Sequence, residues 1–207
     1  MPDADLSLAV PAVFFGSVGT AGQRCTTTRR LYLHRTIAPE FLSRLQNLYA
    51  SLKPGDPLDP RTLLGPLHTR AALDIYDNAI TELRNAGADI LVGGGRYDGV
   101  EQRLPSPLDR GNFVRPTIAV PPPATLPSTS TATASSSSLW ATERFAPILY
   151  VAEFEELEQA IAWNNAVPQG LSSSLWTRDM RNVGKWISPA GSDTGIVNVS
   201  FFFAVKL

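Results

Sequence analysis

The sequence predicts an α/β fold, and three observations carry the prediction. Apolar residues recur at helical spacing in several segments, short apolar runs bounded by glycine or proline lie between them, and the two kinds of segment alternate along the chain. No motif repeats at a fixed period, which excludes solenoids and propellers.

From Asp5 to Val18 the apolar positions Leu6, Leu8, Ala9, Val10, Val13, Phe14, Phe15 and Val18 cover most of a helix circumference. That pattern predicts a helix buried on all sides. Pro11 is placed near its first turns, where a missing N–H costs little. Gly19 and Gly22 end the helix, and Leu31-Tyr32-Leu33 reads as a short strand. Phe41, Leu45, Leu48 and Leu52 predict a second helix, stopped by Pro54-Gly55; Leu73, Tyr76, Ile80 and Leu83 predict a third, ending at Gly87. Asp89–Val92 then reads as a buried strand before Gly93-Gly94-Gly95. Further strands are expected at Phe113–Val120, Ile148–Ala152 and Leu171–Thr177, with helices at Glu155–Trp163 and Asp179–Ile187. A last strand, Gly195–Val199, runs into the apolar tail Ser200–Leu207. Residues 121–139 hold four Pro, six Ser and four Thr with no charge, which predicts a mobile loop. The Gly93-Gly94-Gly95 run lacks the spaced glycines and following helix of a phosphate cradle.

Composition excludes several function classes. The 207 residues carry 18 Lys plus Arg against 19 Asp plus Glu, with no basic stripe of the kind that nucleic acid requires. No run approaches the roughly 18 apolar residues of a membrane span, and the first residues lack a secretory signal. The default compartment is therefore cytoplasmic. One cysteine, Cys25, precludes an intramolecular disulfide, and with only His34 and His68 as imidazoles no metal site is expected.

Cys25 falls on a predicted loop between a helix ended by glycines and a short strand, with Arg24, Arg29 and Arg30 close in sequence. A thiol acts as a nucleophile when it is thiolate, a form that nearby cations favour. The other reading, a lone thiol packed as a small hydrophobe, stays open on these residues alone. His68 has no sequence context that pairs it with Cys25 and is expected to be structural.

The segment Gly22-Gln23-Arg24-Cys25-Thr26-Thr27-Thr28-Arg29-Arg30-Leu31 resembles the active-site cysteine segment of the aldehyde dehydrogenase superfamily. Glu143-Arg144-Phe145-Ala146-Pro147-Ile148 is similar to that family's Glu-x-Phe-(Gly/Ala)-Pro segment, and Gly65-Pro66-Leu67, Gly170–Ser174 and Gly195–Val199 follow in the family's order. Gly65-Pro66-Leu67-His68-Thr69 and Trp163-Asn164-Asn165 look like the antiquitin branch, the aminoadipic-semialdehyde dehydrogenases. The resemblance implies a catalytic domain over residues 1–199, with a largely parallel sheet flanked by helices.

The resemblance also implies a covalent oxidation in which Cys25 attacks an aldehyde, hydride passes to a nicotinamide cofactor (NAD), and water releases the acid. Glu143 would accept from the nicotinamide-ribose hydroxyls, Phe145 would brace the nicotinamide end, and Arg24 would meet a carboxylate-bearing substrate tail. Set against the family, the chain reads as incomplete at both ends. The general-base glutamate and the nucleotide-binding domain would precede Met1, and the oligomerisation strand would follow Leu207, so the family's homo-oligomer is not expected to form through it. On that reading the chain alone is inactive as a dehydrogenase, and its native N-terminus, with any mitochondrial address, would lie outside the sequence. Two other readings remain: a cofactor-independent thiol esterase, and a non-catalytic interaction fragment.

Overall fold

The computed structural model describes residues 1–97, 108–127 and 138–200. Helix α1, Leu6–Val18, starts where the Asp5 carboxylate accepts from the Ser7 N–H at 2.9 Å, satisfying one of the donors that a helix start leaves free. Pro11 is the sixth helical residue, near the first turns as the sequence reading placed it but past the positions that lack an intrahelical partner, so the Ser7 carbonyl loses an N–H partner that any other residue would supply. Pro11→Ala is expected to stabilise the chain by on the order of 2 kcal/mol, read as a higher melting temperature.

The expectation that this helix is buried all round is corrected. Ala9, Val10, Val13 and Ser17 face the core, while Phe15 is 62% exposed.

Strand β1, Arg30–His34, leads into α2, Ala38–Ala50; α3, Arg70–Asn85, is capped by the Thr69 hydroxyl accepting from Ala72 N–H at 3.1 Å. Strand β2, Asp89–Val92, pairs antiparallel with β3, Thr117–Val120. β2 is a half-exposed edge strand and not the buried one the sequence suggested. β3 is shorter than the expected Phe113–Val120 because Pro116 offers no N–H to a ladder. Among the described residues a single bridge, Arg96 to Val114, pairs upstream of it.

After the short helix α4, Ser138–Ala141, come β4, Ile148–Phe154, and α5, Leu157–Asn165, whose start is closed by reciprocal bonds of Glu156 and Gln159. β5, Ser172–Trp176, α6, Met180–Ile187, and β6, Ile196–Ser200, complete the order. β6 is half-exposed. The tail 201–207 lies outside the described residues.

The region read as a mobile loop, 121–139, is described only at its ends. Pro123–Thr125 forms one 3₁₀ turn, and Trp140 Nε1 donates to Thr125 Oγ1 at 3.1 Å across the gap. Residues 128–137 lie outside the described set.

Four strands form one sheet in the order β1-β4-β3-β2, with β1 and β3 both parallel to β4. β5 and β6 form a separate parallel pair. The central strand β4 alternates across the sheet. Ile148 and Tyr150 enter a core with Leu73, Tyr76 and Leu83 of α3, while Leu149 and Val151 enter a core with Val13 of α1 and Leu45 of α2. A smaller core, Leu157, Leu175 and Trp186, lies under β5. Between the two sheets is a cavity of about 550 Å³, lined by successive residues of both β1 and β5. Among the described residues no helix is long and apolar enough to cross a membrane.

Candidate active site

Parallel pairing brings two segments together that are more than a hundred residues apart in sequence. β1 and β4 are adjacent with Arg30 opposite Tyr150, and Cys25 and Phe145 each lie five residues upstream of that pair. The loop that enters β1 and the loop that enters β4 therefore meet at one end of the sheet. Cys25 and Glu143 both line the cavity there.

The Cys25 loop is built from unusual backbone. After α1, Thr20, Ala21 and Gly22 have φ of 54°, 52° and 70°, all left-handed. Such conformations are costly for residues with a Cβ, of order 1–2 kcal/mol each, and persist only where surroundings enforce them. Gly22 shows the enforcement. A Cβ on it would sit 2.4 Å from the Ala146 carbonyl carbon and 2.6 Å from Pro147 N, so the turn packs backbone to backbone on the Glu143–Pro147 segment. Cys25 then occupies a tight turn in which Thr27 N–H donates to Arg24 O at 3.1 Å and Arg24 N–H donates to Thr27 Oγ1 at 3.2 Å. The thiol is exposed.

Gln23 anchors the other side of this loop. Its Oε1 accepts from His68 N–H at 3.0 Å and lies 2.7 Å from His68 Nδ1, so His68 buttresses the residue two before Cys25. The Trp163-Asn164-Asn165 segment also has a scaffold role. Asn165 Nδ2 donates to Gly191 O at 2.7 Å, which ties α5 to the turn before β6.

The three arginines near Cys25 separate. Arg24 turns away, its guanidinium carbon 4.8 Å from the Phe15 ring centroid, and it does not line the cavity. Arg30 donates to Tyr32 Oη and to the Trp163 carbonyl, both at 3.2 Å. Arg29 turns inward to Glu143, with Nη2 3.0 Å from Glu143 Oε1. Sequence reasoning noted Arg29 only as a neighbouring charge and missed it as a site residue. Burial lowers its pKa from the ordinary arginine value, and the charge of Glu143, then Tyr150, then Cys25, opposes that shift.

Phe145 also has a left-handed φ, 51°, which turns its half-exposed ring out under Arg29, 5.2 Å from the guanidinium carbon. Arg144 points the other way and pairs with Glu82 of α3, with its side chain mostly buried. Below the loops, burial raises the Tyr150 hydroxyl above the ordinary tyrosine value, opposed by Arg144. The glycine run 93–95 is not an anion cradle. Gly94 N–H donates to Thr117 Oγ1 at 2.9 Å and Gly95 N–H to Tyr76 Oη at 3.2 Å, so these donors are already used internally. No group of three His, Cys, Asp or Glu able to hold a metal occurs among the described residues.

Residues 1–205 match the model of the aldehyde dehydrogenase family. Over 200 residues the chain is 46% identical to aldehyde dehydrogenase family 7 member A1 of Pisum sativum, covering 97% of this chain and 35% of that one. It is 44% identical to α-aminoadipic semialdehyde dehydrogenase of Mus musculus, covering 96% of this chain and 33% of that protein. The chain thus spans about a third of these relatives. Among solved structures, 3,6-anhydro-L-galactose dehydrogenase in complex with NAP superposes with a TM-score of 0.82 at 26% identity, covering 98% of this chain and 39% of that one. Betaine aldehyde dehydrogenase of Staphylococcus aureus in complex with NAD+ gives 0.80 at 25% identity, covering 97% and 36%. The cysteine turn docked on the Glu143–Pro147 segment, the mostly parallel sheet that brings them together and these matches lead to one conclusion: the chain belongs to the aldehyde dehydrogenase family, and it is similar to the antiquitin branch within it.

Proposed function

We propose that these residues form the nucleophile side of an NAD-dependent enzyme that oxidises an aldehyde of the aminoadipic-semialdehyde type. The observation that carries the reading is the meeting of Cys25 and Glu143 in one cavity. In this reaction the Cys25 thiolate adds to the aldehyde carbon to give a thiohemiacetal on sulfur. Oxidation of that adduct would leave a thioester on Cys25, with the hydride acceptor supplied by NAD when it is bound, and water would cleave the thioester to a carboxylate and free thiol. The Cys25 backbone N–H helps to hold the developing oxyanion, where a fixed donor is most effective.

The site fits the nicotinamide-ribose end of the cofactor. Glu143 is a partly exposed carboxylate at the cavity, the right acceptor for two vicinal hydroxyls, and Phe145 offers an exposed ring beside it. When bound, NAD supplies the hydride acceptor. Glu143 would hold its ribose and Phe145 would brace its ring end. Arg24 is the candidate for a substrate carboxylate because a guanidinium offers two parallel donors. Its present seat on Phe15 requires the side chain to swing for that role. We further infer that full turnover draws on a nucleotide-binding domain and a general base not among these residues, so the purified chain performs the thiol chemistry without the oxidation.

The test uses the thiol. Mixed with p-nitrophenyl acetate, the chain is expected to release about one equivalent of p-nitrophenol per Cys25 in a burst, and Cys25→Ser to release none. Equal bursts from the two proteins would reject Cys25 as the nucleophile. NAD-dependent oxidation of aminoadipic semialdehyde by the chain at a rate comparable with full-length relatives would reject the need for further parts.

A further inference from the structure

We propose that Arg29 is the positioning residue that couples the state of Glu143 to the reactivity of Cys25. The inference rests on the roles given above to those two residues and adds the link between them.

Arg29 touches the nucleophile turn at two backbone atoms. Nη2 donates to the Arg24 carbonyl at 3.0 Å, and Nη1 and Nη2 both approach the Gly22 carbonyl at 3.3 Å. These carbonyls belong to residues on the N-terminal side of Cys25, one of them its direct neighbour. With the same fork Arg29 holds Glu143, where Nε reaches Oε1 at 3.1 Å and Nη2 reaches the same oxygen at 3.0 Å. Its plane also lies against Phe145. One cation therefore spans the cysteine turn and the two residues assigned to the cofactor.

The geometry makes the two ends compete. Both Arg29 contacts fall on Oε1 of Glu143, and a ligand diol whose two hydroxyls take both carboxylate oxygens draws on that acceptor as well. Weakening of that pair leaves the guanidinium, whose charge acts on Cys25 through space, less compensated and free to tighten on the Gly22 and Arg24 carbonyls. A less compensated cation favours thiolate at an adjacent cysteine. Engagement of Glu143 is thereby converted into a readier nucleophile, with no contact between Glu143 and the thiol needed. Only an arginine fork can hold a carboxylate and two carbonyls together, since an ammonium is a point charge without that shape.

The coupling is measured on this chain without cofactor, from the second-order rate of Cys25 alkylation by iodoacetamide at pH 7.5. Arg29→Met is expected to slow the reaction about tenfold, because the cation is lost. Glu143→Gln is expected to speed it about threefold, because the cation is no longer compensated. In the Arg29→Met background Glu143→Gln should change nothing, which a merely structural Arg29 would not produce. Independent, multiplying effects of the two substitutions, or an unchanged rate in Arg29→Met, would overturn the proposal. If Arg29→Met does not fold, judged by its melting transition, the cycle is repeated with Arg29→Lys. The lysine variant should retain part of the rate but at most half of the Glu143 effect; full retention of that effect overturns the proposal. A missing acylation burst with intact alkylation coupling would reject the enzymatic role of Cys25 and leave this link standing.

Discussion

Gly22→Ala is expected to destabilise the chain by about 2–5 kcal/mol, the sum of a left-handed backbone and an overpacked contact. At this position φ is +70°, and the added methyl would lie 2.4 and 2.5 Å from the carbon and oxygen of the Ala146 carbonyl. These are backbone atoms at the entrance to β4, so no side chain can rotate to make room. The turn and the Glu143–Pro147 segment must separate, and the separation pulls apart the two halves of the site. Urea unfolding should show a lower midpoint, and Cys25 acylation should fall with it. A midpoint equal to the parent's would show that the two loops are not in tight contact. Gly184 supplies the control. It lies inside α6 with nothing within 4 Å of its missing Cβ, so Gly184→Ala should stabilise by about 0.5–1 kcal/mol through helix propensity.

Tyr76→Ala is expected to cost about 3–5 kcal/mol, as for other large aromatic truncations in cores. The side chain is fully buried, and its hydroxyl connects α3 to the glycine turn and to β3. It lies 2.7 Å from the Arg115 carbonyl and 2.9 Å from Thr117 Oγ1, and accepts from Gly95 N–H at 3.2 Å. Tyr76→Phe separates ring from hydroxyl and should cost about 1–3 kcal/mol, the penalty for stranding buried polar partners. The same hydroxyl predicts an alkaline limb. Burial pushes its pKa up to about 12 from the ordinary value of 10.0. The folded state thus holds this proton more tightly than the unfolded chain does. The corresponding stability is complete below pH 10 and is lost as pH rises through 12, a change on the order of 2–3 kcal/mol. Buried Tyr49 and Tyr150 and partly buried Tyr32 are raised as well and share the limb. Melting temperatures measured from pH 9 to 11.5 should fall, and fall less in Tyr76→Phe. Parallel curves for the two proteins would remove Tyr76 from the limb.

Helices α2, α3, α5 and α6 and strands β1, β4 and β5 were legible because their apolar spacing is long or their borders carry caps and breakers. The misreadings have identifiable causes. Periodicity cannot tell an apolar face that meets a core from one that meets solvent, so α1 was read as buried throughout although Leu8 and Phe15 are exposed. Periodicity likewise could not show that β2 is an edge strand, and Pro116 outweighed the apolar run of Phe113 and Val114. Cys25, Arg24, Glu143 and Phe145 were named through a resemblance carried by short segments, and chemistry alone left Cys25 open.

The sequence by itself determined which local elements form, which residues can do thiol chemistry and which family the motifs resemble, because spacing and residue type act over a few neighbours. Only the tertiary structure decided who meets whom. Parallel pairing of β1 with β4 places residues 25 and 145 at one level, and the missing Cβ of Gly22 lets their loops touch. Of three arginines beside the thiol, that packing turns Arg29 inward to Glu143, seats Arg24 on Phe15 and commits Arg30 to the Trp163 carbonyl. The orientation of a charged side chain depends on partners more than a hundred residues away, and no local pattern encodes them.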